Sequence, residues 1–425
     1  MLELKSRLTT FLRWSERYTK TDMVYLASGG FLGLVSQVTA LAGALVLAIM
    51  VSHYVPKTSY GQYKYILSII ALLSSFSLNG IGGAVLQSAA QGFDSALQKG
   101  FWANLRWSFV IFTGALVMAL YYFFAGNATL AAEILIGGSL SPLLASASLF
   151  SPFLAGKKDF LHQTLFSIGD NLIPTGLMIV TVMLTSNPLV LVSVYFVSNT
   201  MAALFFYRRT QIRYAQSLQR HDETMLRYSK HLSIMGIVGG IAENMDQILL
   251  FHFVGVVQLA IYNFATALPD QMRTPIKNID AMLQARFVNR TAQEIKSGIR
   301  NKIFWYFISL VTLVVAYFFI APYVFKFLFP QYLDAVRYSQ IYILWIVALA
   351  FDPVSSYLSS RKKITALYTG TIAYSVSQIA LIFIGVLYWG LLGVIVAKII
   401  ARFVFAVVNY FFYRNVIRQD QRIIS

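Results

Sequence analysis

The stretch Ala267-Leu-Pro-Asp-Gln-Met-Arg-Thr-Pro-Ile-Lys-Asn-Ile-Asp280 sets four charged residues and two prolines where the flanking hydrophobicity calls for a membrane span. On a helix Asp270, Arg273, Lys277 and Asp280 fall on one stripe, while Ala267, Leu268, Ile276 and Ile279 lie largely elsewhere. A charge near the bilayer centre costs about 2.5 to 3.5 kcal/mol on insertion scales, so such a stripe is expected to face a bundle interior or an aqueous cavity. The rest of the chain is then the wall of that cavity.

Composition agrees with a membrane setting. Of 425 residues, 57% are hydrophobic and only 12% charged, with a mean hydropathy of +0.64, too apolar for a soluble globular chain. The formal net charge of +17 does not indicate nucleic acid, because the basic residues sit in short gaps between apolar runs rather than on a soluble face. With no cysteine, disulfides, thiolate metal sites and cysteine nucleophiles are excluded. Lys5, Arg7, Arg13, Arg17 and Lys20 punctuate the first 23 residues, and no small-residue cleavage site precedes the first span, so that span is expected to be retained.

The expected fold is all-α and polytopic. Residues 2–18 read as an amphipathic segment, with Leu4, Leu8, Phe11, Leu12 and Trp14 on one side and basic residues on the other; a disordered basic tail is the competing reading. Twelve spans follow, at about 24–51, 60–85, 101–124, 130–153, 163–185, 188–207, 231–254, 257–283, 302–321, 338–358, 364–387 and 390–412. Positive charge gathers in alternate gaps: Lys99, then Lys157 and Lys158, then Arg208 to Lys230, then Arg286 to Lys302, then Arg361 to Lys363, then Arg414 to Arg422. The intervening gaps hold only Lys57, Lys326 and Arg337. This alternation requires an even number of spans and places both termini in the cytoplasm.

The basic link 208–230 divides the chain into an amino-terminal segment 1–23, a first six-helix lobe 24–207, a second lobe 231–412 and a tail 413–425. A weak repeat supports two similar lobes. His53-Tyr-Val-Pro with Tyr63 recurs as His252-Phe-Val-Gly with Tyr262 at one offset, and Ser151-Pro152 with Lys157-Lys158 recurs as Asp352-Pro353 with Lys362-Lys363 at nearly the same one.

A second anomaly lies in the last span. Lys398 and Arg402 are four residues apart on one helix face, roughly 12 and 18 Å into the membrane at 1.5 Å per residue, too deep for comfortable snorkelling. Either they face a cavity or they pair with a neighbouring helix. In the charged stripe Asp270 and Arg273 are deep, whereas Lys277 and Asp280 approach the cytoplasmic mouth, and Pro269 and Pro275 are expected to kink the helix. Glu243 and Asp246 in the seventh span, Asp270 in the eighth and Asp170 in the fifth either pair with these cations or bind a proton or sodium ion that drives transport; the sequence does not separate the two. Lys64, Arg106, Glu133 and Asp352 lie close enough to span ends for snorkelling to explain them. A surplus of intramembrane cations, Arg273, Lys398, Arg402 and Lys277, favours an anionic ligand, and the arginine fork suits phosphate oxygens. No P-loop, H-E-x-x-H, G-x-S-x-G or D-x-D pattern is present, so neither an enzyme nor a metal site is expected.

Several motifs carry a resemblance. Tyr60-Gly-Gln-Tyr63, Leu78-Asn-Gly-Ile-Gly-Gly83, Asp246-Gln-Ile-Leu-Leu250 and Ala260-Ile-Tyr262 resemble the polysaccharide-transporter family of O-antigen repeat-unit flippases, a branch of the multidrug, oligosaccharidyl-lipid and polysaccharide exporter superfamily. The resemblance covers essentially the whole chain. It implies a V-shaped pair of six-helix lobes, alternating access, the bacterial inner membrane, and a substrate of undecaprenyl pyrophosphate bearing an oligosaccharide. Membrane lipids and the polymerase and chain-length proteins of the lipopolysaccharide pathway would be its partners. Within the superfamily, an exporter of drugs or of the peptidoglycan lipid precursor is the alternative. A membrane-embedded polymerase or glycosyltransferase needs a sizeable external loop, and the longest external gap, about 322–337, carries only Lys326, Asp334 and Arg337.

Overall fold

In a computed structural model the described residues are 23–214, 222, 224–288, 292–360 and 364–422. The amphipathic segment expected at 2–18, part of the basic link and the end of the tail lie outside them. Among the described residues the regular structure is entirely helical, as hydrocarbon demands of a chain that must satisfy its own backbone. The helices are α1 (Met23–Tyr54), α2 (Lys57–Ser74), α3 (Ile81–Ala90), α4 (Ala96–Trp107), α5 (Phe109–Phe124), α6 (Ala128–Ala147), α7 (Phe150–Gly156), α8 (Phe160–Leu184), α9 (Pro188–Arg213), α10 (Met225–Phe253), α11 (Val256–Val288), α12 (Ala292–Leu328), α13 (Ala335–Tyr342), α14 (Asp352–Ser360) and α15 (Ile364–Arg422), with a nine-residue 3-10 helix, Ile343–Phe351, between α13 and α14.

Eight helical stretches among the described residues are long and apolar enough to cross a bilayer, the last of them running from Tyr368 to Ile417. That stretch is two spans joined by a sharp turn at Gly390, whose φ of 55° and ψ of −131° are open to glycine and strained for other residues. Gly385 and Gly393 meet backbone to backbone across the turn, and small residues are what let two membrane helices approach so closely.

The single span expected at 60–85 is instead two helices. α2 ends at Ser74 and α3 starts at Ile81. Between them Asn79 N donates to Ser77 O at 2.9 Å and Ile81 N to Leu78 O at 3.0 Å, local turn bonds that replace the helical ladder where Ser, Asn and Gly cluster. Helix α11 runs on through Pro269 and Pro275 to Val288.

Packing sorts the chain into two compact units: unit 1 comprises Met1–Ala48, Phe76–Thr185 and Leu189–Ile234, and unit 2 comprises Ile49–Ser75, Ser186–Pro188 and Met235–Ser425. In unit 1, Leu78, Ile81, Val85, Leu97, Phe101 and Phe153 form a buried apolar core. Glu133, expected near an interface, is fully buried in α6. Asp222 accepts from Thr224 N at 2.8 Å and Met225 N at 3.2 Å, capping α10, and also from the Ser88 hydroxyl. Burial works against its charge, but the bonds from Ser88, Thr224 and the backbone hold its carboxyl below the ordinary range. In unit 2, Gly61 of the Tyr60-Gly-Gln-Tyr63 motif lies against the Val256 backbone, where a Cβ would clash. Tyr65 stacks on Phe251 at 3.7 Å, and its hydroxyl meets His252 Nε2 at 2.9 Å. His252 is thus part of the packing. Large apolar side chains such as Phe124 and Leu184 are 83% and 81% exposed, as helices that meet lipid should be.

Candidate functional site

The longest-range consequence of the α15 sequence is a buried ion pair. Lys398 Nζ donates to Asp246 Oδ2 of α10 at 2.7 Å and to the Tyr262 hydroxyl of α11 at 2.9 Å. The Tyr262 hydroxyl donates to the same Asp246 oxygen, and Gln247 N donates to Asp246 Oδ1 at 2.8 Å. Asp246 is 1% exposed. A buried carboxylate is tolerable when donors surround it in this way and a cation neutralises it. Two residues whose motifs carried the resemblance, Asp246 and Tyr262, thereby acquire a physical reason: they hold Lys398 inside the unit.

Beside this cluster, unit 2 holds an open cavity of about 300 Å³ lined by Glu243, Asp270, Arg273, Tyr342, Tyr374, Gln378, Lys398 and Arg402. The Tyr342 hydroxyl donates to Asp270 Oδ1 at 3.0 Å. Arg273 and Arg402 both approach the Trp345 ring, at 5.9 and 5.4 Å from its centroid, and Arg402 also lies 4.6 Å from that of Tyr374. Cation–π contacts of this kind fix a guanidinium without consuming its hydrogen-bond donors. Trp345 sits in the 3-10 segment, which is far longer than the usual three or four residues of that helix type. Gln378 anchors the wall by donating to Ala242 O at 2.8 Å.

Of the residues singled out from sequence, Arg273, Lys398, Arg402, Glu243 and Asp270 come together here, and Asp246 stands directly behind Lys398. The side chains of Lys277 and Asp280 lie outside the described residues. Asp170 belongs to unit 1, on α8, and its Oδ1 is buried without a hydrogen-bond partner among the described residues. The expected surplus of cations included Lys277; among the described side chains Arg273, Lys398 and Arg402 stand with the carboxylates Glu243 and Asp270, Asp246 pairs with Lys398, and Asp352 lies close enough to Arg273 to act on its charge. Of the alternatives that the sequence leaves open for Lys398 and Asp246, the structure has the ion pair. Tyr342, Tyr374, Trp345 and Gln378 were missed. Aromatics and amides carry no local signature in a chain with 25 tyrosines.

The fold has solved counterparts. An inward-facing multidrug resistance MATE family transporter of the MOP superfamily is similar over 90% of this chain and 96% of its own, with a TM-score of 0.72 and 15% identity. The lipid II flippase MurJ in an inward closed conformation is similar over 91% of this chain and 87% of its own, with a TM-score of 0.66 and 13% identity. A MOP superfamily transporter from Pyrococcus furiosus, described as having a binding pocket of reverse polarity, covers 94% of this chain and 96% of its own at a TM-score of 0.61 and 15% identity. At such identities the likeness establishes the fold. No curated protein matches by sequence. The family model described as polysaccharide biosynthesis protein matches residues 46–293, more than half of the chain, and the chain belongs to that family.

Proposed function

We propose that this protein is a flippase that carries undecaprenyl-pyrophosphate-linked oligosaccharide repeat units across the bacterial inner membrane by alternating access. Twelve spans in two six-helix lobes, with both termini cytoplasmic, belong to the same reading, as do the polymerase and chain-length proteins of an O-antigen pathway as partners. The observation that carries it is the pair of guanidinium groups, Arg273 and Arg402, set around Trp345 at the wall of a charged cavity in a polysaccharide-biosynthesis family member. Two arginine forks lining one cavity suit the two phosphates of a pyrophosphate. Lys398, tied to Asp246, contributes by closing the cavity wall and by its field. Lys277 is assigned to the cytoplasmic mouth, where the headgroup enters.

The peptidoglycan lipid precursor shares the pyrophosphate, and the likeness to a lipid II flippase keeps it as the second reading. The experiment is a deletion strain complemented with wild-type or variant protein. Loss of a repeat-unit flippase leaves single lipid-linked units on the cytoplasmic leaflet and no surface polysaccharide, with peptidoglycan intact. Accumulation of units on the outer leaflet would point to a polymerase and overturn the reading. Arrest of peptidoglycan synthesis would favour the second substrate.

A further inference from the structure

Arg273 and Arg402 share the wall of the unit 2 cavity with two carboxylates, Glu243 and Asp270, and Asp270 stands one turn from Arg273 on α11. Yet neither guanidinium makes an ion pair or a hydrogen bond among the described residues. Each is held by rings instead: Arg273 by Trp345, and Arg402 by Trp345 and Tyr374. The difference matters for binding. A carboxylate partner occupies donors and cancels charge, whereas the face of a ring holds the cation and leaves its N–H groups free.

The backbone places Trp345 for this. It sits in the 3-10 segment Ile343–Phe351, and three residues per turn set positions i and i+3 in register, where an α-helix would offset them. Trp345 therefore stands in line with Tyr342, the residue before the segment, with ring centroids 6.2 Å apart. Lys398 Nζ lies 5.8 Å from the Tyr342 centroid, and both guanidiniums lie over Trp345. Trp345 is 2% exposed, and its Nε1 is buried without a hydrogen-bond partner among the described residues. An unpaired buried N–H is a cost that leucine or phenylalanine would avoid, so hydrogen bonding is not what this position draws from tryptophan. What remains is the ring, the strongest aromatic face that a side chain offers to a cation.

We infer that Trp345 is a positioning residue: it holds Arg273 and Arg402 off the neighbouring carboxylates with their donors free, and so gives the cavity a preference for a pyrophosphate over a single phosphate. This rests on reading the cavity as a pyrophosphate site. Without the indole, Arg273 has no other described ring to hold it and turns to Asp270, while Arg402 keeps Tyr374. One fork then remains for the ligand. A single phosphate needs no more than that, whereas a pyrophosphate loses half of its partners.

The test compares two probes on the purified full chain, farnesyl pyrophosphoryl N-acetylglucosamine and farnesyl phosphoryl N-acetylglucosamine, with affinities from calorimetry. Wild type should prefer the pyrophosphate by about tenfold or more, the effect of one added charge-assisted contact. Trp345→Leu should bring the two affinities within about threefold of each other by weakening the pyrophosphate alone, and Trp345→Phe should keep most of the preference. A merely structural role weakens both probes together and leaves their ratio alone. Fluorinated tryptophans placed at position 345 keep the shape of the side chain and withdraw electron density from its face, so the ratio should fall with each added fluorine even where Trp345→Leu does not fold. A wild-type ratio in Trp345→Leu, or one indifferent to fluorine, overturns the inference and leaves the pyrophosphate site standing. Equal binding of both probes by wild type overturns it as well. Failure of wild type to bind either probe overturns the pyrophosphate reading and this inference together.

Discussion

Unit 1 and unit 2 spend their polar residues differently. In unit 2, charge is concentrated: Asp246, Lys398 and Tyr262 form one closed cluster, and Arg273 and Arg402 are held on aromatic faces beside Asp270. In unit 1, the buried polar groups along the spans are largely hydroxyls that bond back to their own helix, such as Ser141 to Gly137 O at 2.6 Å and Thr210 to Phe206 O at 2.8 Å. Such hydroxyls cost little in a membrane, because each finds its acceptor one turn away. Charge gathers instead at the linker and the α7–α8 corner, where Asp222 and Asp159 collect donors. The contrast is one of charge: unit 2 concentrates it around one cavity, and the spans of unit 1 are lined largely by hydroxyls.

The strongest way to break that contrast is through the buried pair. Asp246→Ala should destabilise the protein by about 3 to 5 kcal/mol, because it leaves the Lys398 ammonium buried and unpaired. The double variant Asp246→Leu with Lys398→Met should recover most of the thermal stability in detergent. Recovery of folding with persistent loss of surface polysaccharide would show that the pair also serves transport.

Next in size, Arg402→Ala and Arg273→Ala should each cost about 2 to 3 kcal/mol of headgroup binding and remove surface polysaccharide in a complementation assay, with the protein still inserted. Lysine at either position should recover only part, since it supplies charge without the fork. Full activity of both alanine variants would end the assignment of the site.

On the other side of the comparison, Asp170→Asn should leave transport intact and change stability by no more than about 1 kcal/mol, because the replaced oxygen has no partner among the described residues to lose. Loss of transport in that variant would place a coupling carboxylate in unit 1 and undo the contrast.

The smallest effect expected is at Asp222. Its carboxyl is held below the ordinary value, so its contribution is complete above the usual aspartate range, near pH 3.9, and is lost as the pH falls through the lower folded value. Asp222→Ala should cost about 1 kcal/mol as a lost helix cap and remove that acid-side fall in a melting-temperature profile, with transport at neutral pH little changed.

Much of the architecture was legible in one dimension. Apolar runs near 20 residues with charge in alternate gaps give helices that span, since hydrocarbon permits little else. Breaks were harder to place: the Ser and Asn between α2 and α3 are apolar enough in context to pass for span. Positions within a helix were legible too, since Asp270 with Arg273, and Lys398 with Arg402, share faces by spacing alone, and all four line the cavity. A helix fixes the direction of its own side chains through its pitch.

What the chain could not reveal was which charge meets which. Asp246 and Lys398 are 152 residues apart, and nothing local in either helix records the other. Only packing brings the Tyr262 hydroxyl to both of them, sets Trp345 beside two arginines, and turns a list of intramembrane cations into a cavity where cations and carboxylates meet. The sequence by itself determined the helices and their polar faces, because these follow from covalent geometry and the lipid solvent. The tertiary structure decided the charge of the cavity, because electrostatic energy depends on distances through space.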